Sequence, residues 1–249
     1  MPAPTQQPAP GPFGDALPVE RVETFAVALP TRRSFSVSGG PVTVAGRPSI
    51  RILVRVTARG GAHGWGEATP LPSWTDETAE SIVTTVDRYL APALLGLPAW
   101  HLDAVDRAFD RAISRGYTIG APLARGALDM ALHDLLGRAA GVPLGVLWGQ
   151  RRRDTAELGW IVSGGTPAEA AQSVAEGVSA GYRAFKVKIG LYGEEGDAAV
   201  VAAVREHAPT AAPVWVDANQ AVHRADRPAD GPAAGRHRGL GLRTAAARQ

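Results

Sequence analysis

Residues 184–190 read AFKVKIG, an apolar strand pattern interrupted by Lys186 and Lys188. Side chains alternate across a strand, so residues two apart leave the backbone on the same side. Two ammonium groups therefore face one way from a strand whose other members are Phe185, Val187 and Ile189. Paired ammonium groups disfavour one another's charge, and burial does so further. An amine in such a setting can act as a general base near neutral pH. The plainer reading is a strand end whose lysines snorkel to water.

The next apolar segment, APVWVDANQ, ends in Asp217 and Asn219, again two apart. One reading is an Asx turn that terminates the strand. The other is a hard oxygen ligand for Mg²⁺, which is usually held by a few carboxylates with water or substrate. A cation there would stabilise an enolate formed when a lysine removes a proton alpha to a carboxylate. Other candidates are weaker. His133 and Asp134 sit inside an apolar helix and read as a surface or structural pair. The six histidines show no HExxH spacing, the glycines at 60–66 open no helix, and GxSxG is absent.

The elements that would position these residues fall into two rhythms. From about Val19 to Glu67 the pattern is antiparallel β. Ile50, Ile52, Val54 and Val56 alternate with Arg51, Leu53, Arg55 and Thr57, and RGGAHG reads as a hairpin turn into GWGEA. TPLPSWTDE then precedes a helical region to about residue 115. A second apolar helix follows in APLARGALDMALHDLLGRAAGVP, stopped by Gly141 and Pro143. After Arg153 the rhythm becomes strand–helix–strand. Thr166, Pro167 and Glu169 form a capping-box signature, and Gly181 marks the helix exit. Three short strands separated by helices imply parallel βα units, the opening of either a doubly wound sheet or a (β/α) barrel.

Bulk composition narrows the class. The 249 residues suffice for one large domain or two ordinary ones. No apolar run reaches the roughly 18–20 residues of a membrane span. The first 18 residues carry six prolines and no apolar signal region, which predicts a disordered leader. Cysteine is absent, which excludes disulfides and thiolate metal sites and predicts a cytoplasmic protein. The net charge of +2 is unevenly spread. Residues 221–249 hold six Arg and two Asp, a net of +4, leaving residues 1–220 at −2. No basic stripe interleaved with aromatics accompanies that stretch, so nucleic acid is not an expected partner.

A strand with KxK, a helix and a strand ending VDAN, all after a strand-then-helix N-terminal region, resembles the enolase superfamily. Within it the chain looks most like the mandelate racemase/muconate lactonizing enzyme branch. KVKIG and WVDANQ carry the resemblance, and GWGEATPLPSW and ARGALDMALHDLLG support it, over roughly residues 19–220. The resemblance implies an α/β protein, with an α+β capping domain over 19–153 and a (β/α) barrel from 154. It implies Lys188 as the acid/base on one face of the substrate, and Lys186 as the lysine that tunes it and contacts the carboxylate. Asp217 becomes the first Mg²⁺ ligand, with Asn219 as the polar position beside it. Cap loops around 33–40 and 69–75 would shape specificity for a small carboxylate substrate, and a homo-oligomer is usual for the family.

The family places two further acidic ligands and another base on later strands. After Asp217 the sequence offers only Asp226 and Asp230, in an Arg/Ala/Gly/Pro-rich stretch. That composition predicts an incomplete barrel of about three βα units over 154–220, followed by a disordered tail over 221–249. It is what a frameshift or truncation near residue 221 would leave. Weak or absent Mg²⁺ binding is then expected of this chain. The competing expectation is a non-catalytic fragment that keeps the cap as an interaction module.

Overall fold

The computed structural model describes residues 17–219 apart from 33, 38–39, 73, 117–118, 150–152 and 163–164. The expected leader and the 221–249 tail, with Asp226 and Asp230, lie outside the described residues. The chain forms two compact units. One holds Gly46–Asp154 together with the strand before Thr31; the other holds Arg32–Ala45 and the residues from Thr155 onward. The division is not contiguous, because a short hairpin lying between two strands of the first unit belongs to the second.

In the first unit β1 (Val19–Pro30), β4 (Pro48–Ala58) and β5 (His63–Ala68) form an antiparallel sheet in the order β1-β4-β5. Period-two alternation sets its faces. Ile52, Val54, Val56 and Ala58 are fully buried, whereas Arg51, Leu53 and Arg55 on the other face are half-buried. Against the buried face lies α4 (Pro122–Ala140), whose Ala127, Leu128, Ala131, Leu132 and Leu135 are buried at helical spacing. The helix and β5 approach to backbone contact. A Cβ at Gly64 would stand 2.2 Å from the Ala131 carbonyl oxygen, and one at Gly66 only 1.9 Å from that of Ala127. The two inward positions of β5 that meet the α4 backbone are therefore glycine, the third inward position is Ala68, and Trp65 points outward.

The first turn of α4 has no local side-chain cap, since Ala121 before it is left-handed with φ 55° and carries no side-chain oxygen. Glu77, 6% exposed, supplies one from far along the chain. It accepts from the N–H groups of Leu123 at 2.6 Å and Ala124 at 3.2 Å. A carboxylate there satisfies orphan donors and complements the helix dipole. Asp134 accepts from the Trp65 N–H at 2.9 Å and from Arg138 Nε at 2.8 Å, the structural role that its place in the helix suggested. Ile82 of α1 (Ala79–Thr85), Leu94 of α2 (Ala91–Leu94) and Phe109 of α3 (Leu102–Ala112) complete the core. A short α5 (Leu144–Leu147) follows α4.

In the second unit β6 (Trp160–Val162), β7 (Phe185–Lys188) and β8 (Val214–Asp217) form a parallel sheet in the order β6-β7-β8. The connections are α6 (Pro167–Ser179) and α7 (Gly193–His207). α6 starts as its sequence predicts: Thr166 Oγ1 accepts from Glu169 N–H, and Glu169 accepts from Thr166 N–H. Hydrogen bonds from the Gly165 backbone and then from Thr166 hold the Glu169 carboxyl below its usual range. Ala170 and Val174 of α6 and Val200, Val201 and Val204 of α7 pack on Phe185 and Val187. The mixed α/β class and the parallel βα units are those expected. The same unit includes the hairpin of β2 (Phe35–Val37) and β3 (Gly40–Thr43). Among the described residues, no helix is long and apolar enough to cross a membrane.

Candidate active site

Alternation along β7 separates its two jobs. Phe185 and Val187 are buried under the helices, so Lys186 and Lys188 must emerge on the opposite face. β7 is the central strand of its sheet, which removes the reading of a solvated edge. Lys188 side-chain exposure is only 11%, against 29% for Lys186.

Register decides their partner. Lys188 and Asp217 stand directly opposite one another on neighbouring parallel strands. Asp217 Oδ2 receives both amines, Lys186 Nζ at 2.7 Å and Lys188 Nζ at 2.8 Å. Lys188 Nζ also donates to Asn219 Oδ1 at 2.5 Å. Asn219 is left-handed, φ 44°, a conformation asparagine tolerates better than most residues. Its N–H donates to Asp217 Oδ1 at 3.0 Å. The Asx turn and the functional cluster are thus one object, because the turn that ends β8 also aims the Asn219 amide at Lys188. Burial opposes the charge on Asp217. The hydrogen bonds from Lys186, Lys188 and the Asn219 N–H outweigh it and hold the carboxyl far below its usual range.

All four residues singled out in the sequence, Lys186, Lys188, Asp217 and Asn219, therefore meet at the C-terminal ends of β7 and β8. Catalytic groups gather at that end in barrels and open α/β sheets. The picture of two like charges facing each other changes in one respect: a carboxylate bridges them. Sequence reading did not single out Phe35, whose ring centroid lies 5.7 Å from Lys188 Nζ. The only prior sign of it was its place within the 33–40 loop. Beyond β7, Asp197 accepts from the N–H groups of Gly190 at 2.6 Å and Tyr192 at 3.4 Å, which fixes the turn into α7.

The same geometry tests the implied metal. Mg²⁺ wants near-octahedral oxygen coordination, commonly through one or two carboxylates plus water or substrate phosphate. Among the described residues no three His, Asp or Glu side chains come together as a ligand set. Asp217 is alone, and its two oxygens already accept from Lys186, Lys188 and Asn219. These residues do not fit a magnesium site.

Comparison with known proteins places this geometry in a lineage. The profile described as "Mandelate racemase / muconate lactonizing enzyme, N-terminal domain" matches residues 22–149. The one described as "Enolase C-terminal domain-like" matches residues 168–229, nine residues beyond the roughly 19–220 over which the sequence motifs carry the resemblance. A chloromuconate cycloisomerase from Cupriavidus necator is 33% identical over 205 residues, which cover 81% of this chain and 53% of that protein. The structure of a muconate lactonizing enzyme from Pseudomonas fluorescens, complexed with muconolactone, superposes with a TM-score of 0.75. It is 30% identical, with 84% of this chain and 55% of that one covered. A dipeptide epimerase from Enterococcus faecalis, complexed with Mg and the dipeptide L-Leu-L-Tyr, gives a TM-score of 0.72. Its identity is 27%, with 83% and 55% covered. The chain spans about half the length of the relatives it matches. It belongs to the mandelate racemase/muconate lactonizing enzyme family of the enolase superfamily.

Proposed function

We propose that this chain carries the proton-transfer groups of an enzyme that abstracts a proton alpha to a carboxylate. The reaction class is that of a muconate cycloisomerase-like lyase/isomerase, a racemase or an epimerase. Lys188 is the base and Lys186 the contact for the substrate carboxylate. The observation that carries the reading is one of composition at a place. Of 26 Lys and Arg residues only two are lysine, and both stand side by side on β7. An arginine serves an ion pair at least as well as a lysine, but its guanidinium does not give up a proton in a protein. A chain that uses arginine for every other cation keeps amines at the one place where a proton must move.

The residues divide the work as follows. Lys188, as the free amine, takes the alpha proton and becomes an ammonium, which Asp217 and Asn219 are placed to receive by hydrogen bonds. Lys186 points the same way, is more exposed and is placed to pair with an incoming carboxylate. The negative charge that then develops on the substrate calls for preorganised positive charge. The described residues supply the two lysines for it and no metal ligand set. That shortfall favours a second reading, a non-catalytic chain that keeps the cap as an interaction module.

Hydrogen–deuterium exchange at the alpha carbon separates the two. Dipeptides and muconolactone would be incubated with the chain in D₂O, with and without Mg²⁺, and followed by NMR. Exchange that falls about 10²–10⁴-fold in Lys188→Ala supports the base. Exchange indifferent to that change makes Lys188 structural. Absence of exchange, together with no calorimetric Mg²⁺ binding, supports the non-catalytic reading.

A further inference from the structure

We propose that Phe35 is a positioning residue whose ring clamps the Lys188 amine and limits how freely this amine reacts. The inference rests on the reading of Lys188 as the base, and three observations support it. The Phe35 ring stands 5.7 Å from Lys188 Nζ, inside the roughly 6 Å over which a ring face attracts a cation. Lys188 is 11% exposed while Lys186, two residues away on the same face, is 29% exposed. The hairpin that carries Phe35 leaves the sheet of its chain neighbours and belongs to the unit of β7.

The hairpin fixes the backbone that carries the ring by its own bonds. Phe35 pairs with Thr43 across the strands, with a register irregularity just after Phe35. Ser34 Oγ accepts from the Ala45 N–H at 3.0 Å and ties the two ends together. Lys188 thus has three restraints: the Asp217 carboxylate, the Asn219 amide and an aromatic face. The first two come with β8, and only the third comes with a separate hairpin. Removing the ring would free the amine of one restraint and leave the ion triad intact.

The two-lysine composition makes this measurable on the full chain without any turnover. A succinimidyl acetate reagent acylates free amines, and here Lys186 and Lys188 are the only side-chain amines. The Lys188:Lys186 labelling ratio, read by fragment mass spectrometry after brief exposure at fixed pH, reports on the clamp with Lys186 as internal control. Phe35→Leu keeps apolar bulk and removes the π face, and should raise the ratio about two- to fivefold. Phe35→Tyr and Phe35→Trp, which restore a π face, should return it to the wild-type value. Should the leucine variant lose its fold, pentafluorophenylalanine at position 35 makes the same test, since it keeps the ring's shape and removes its negative face.

A ratio unchanged in the leucine or fluorinated variant overturns the proposal. So does a ratio in Phe35→Trp that rises as far as in Phe35→Leu, because bulk would then be the only contribution. The labelling result is separable from the functional reading: a clamp seen without Lys188-dependent exchange leaves the clamp standing and removes the base.

Discussion

Asp217→Asn tests the ion triad most directly, because it keeps the side-chain shape and removes one charge. Both Nζ atoms lie on the same carboxylate oxygen, at 2.7 and 2.8 Å, so they can be no more than 5.5 Å apart (2.7 + 2.8). Uncompensated, two unit charges at that separation repel by about 0.8 kcal/mol in bulk water and about 3 kcal/mol at an effective dielectric of about 20. Asp217 and Lys186 are each roughly a quarter exposed, so screening keeps the cost near the middle of that range. We expect a loss of about 2 kcal/mol at pH 7, or a fall of roughly 4–8 °C in Tm for a chain of this size. The pH dependence has a fixed sign. The folded-state carboxyl of Asp217 ionises below its unfolded value, so its contribution is complete above about pH 4 and is lost as pH falls through the folded value. The gap between wild type and Asp217→Asn should therefore be constant from pH 5 to 8 and narrow in acid. Urea melts followed by circular dichroism at several pH values measure it. Adding Lys186→Met to Asp217→Asn should recover part of the loss by removing the repulsion. Equal stability of wild type and Asp217→Asn at pH 7, or a gap that widens in acid, would refute the reasoning.

Two further changes probe the scaffold. Gly66→Ala puts a Cβ 1.9 Å from the Ala127 carbonyl oxygen, so α4 and β5 must part, and a loss of about 2 kcal/mol or more is expected in the same melts; a neutral result would mean that the close approach is not real. Glu77→Ala leaves the Leu123 and Ala124 N–H groups without their acceptor and should cost about 1–3 kcal/mol, with amide hydrogen exchange accelerating first at the start of α4. Exchange that accelerates evenly along α4 would rule out the capping role.

Some of the molecule was legible because the signal is local. The β4 alternation, the hairpin turn, the α6 capping box and the glycine exits report on residues within a few positions of one another, where backbone geometry and side-chain period decide the outcome. The KVK and VDAN spacings belong to the same class. A period of two puts both lysines on one side of β7, whereas Asn219 lies past the end of β8 and reaches Lys188 only through the turn that its own N–H closes on Asp217. Glu77 was not legible. Nothing local marks a glutamate 46 residues before Leu123 as the cap of its helix.

The sequence by itself carried the resemblance to the family, the βα order and the face of β7 on which both lysines stand. The last two follow from short-range periodicity, and the resemblance from a few residue types at fixed intervals. Tertiary structure alone decided what that face contains. Parallel register set Asp217 opposite Lys188 and turned an expected pair of like charges into a bridged triad whose carboxylate is already occupied. The packing of a hairpin from between β1 and β4 onto the unit of β7 brought Phe35 to the amine. Spacing along one strand cannot specify either contact, because each depends on which residues of distant segments come to stand side by side, and only the packing of strands and hairpin fixes that.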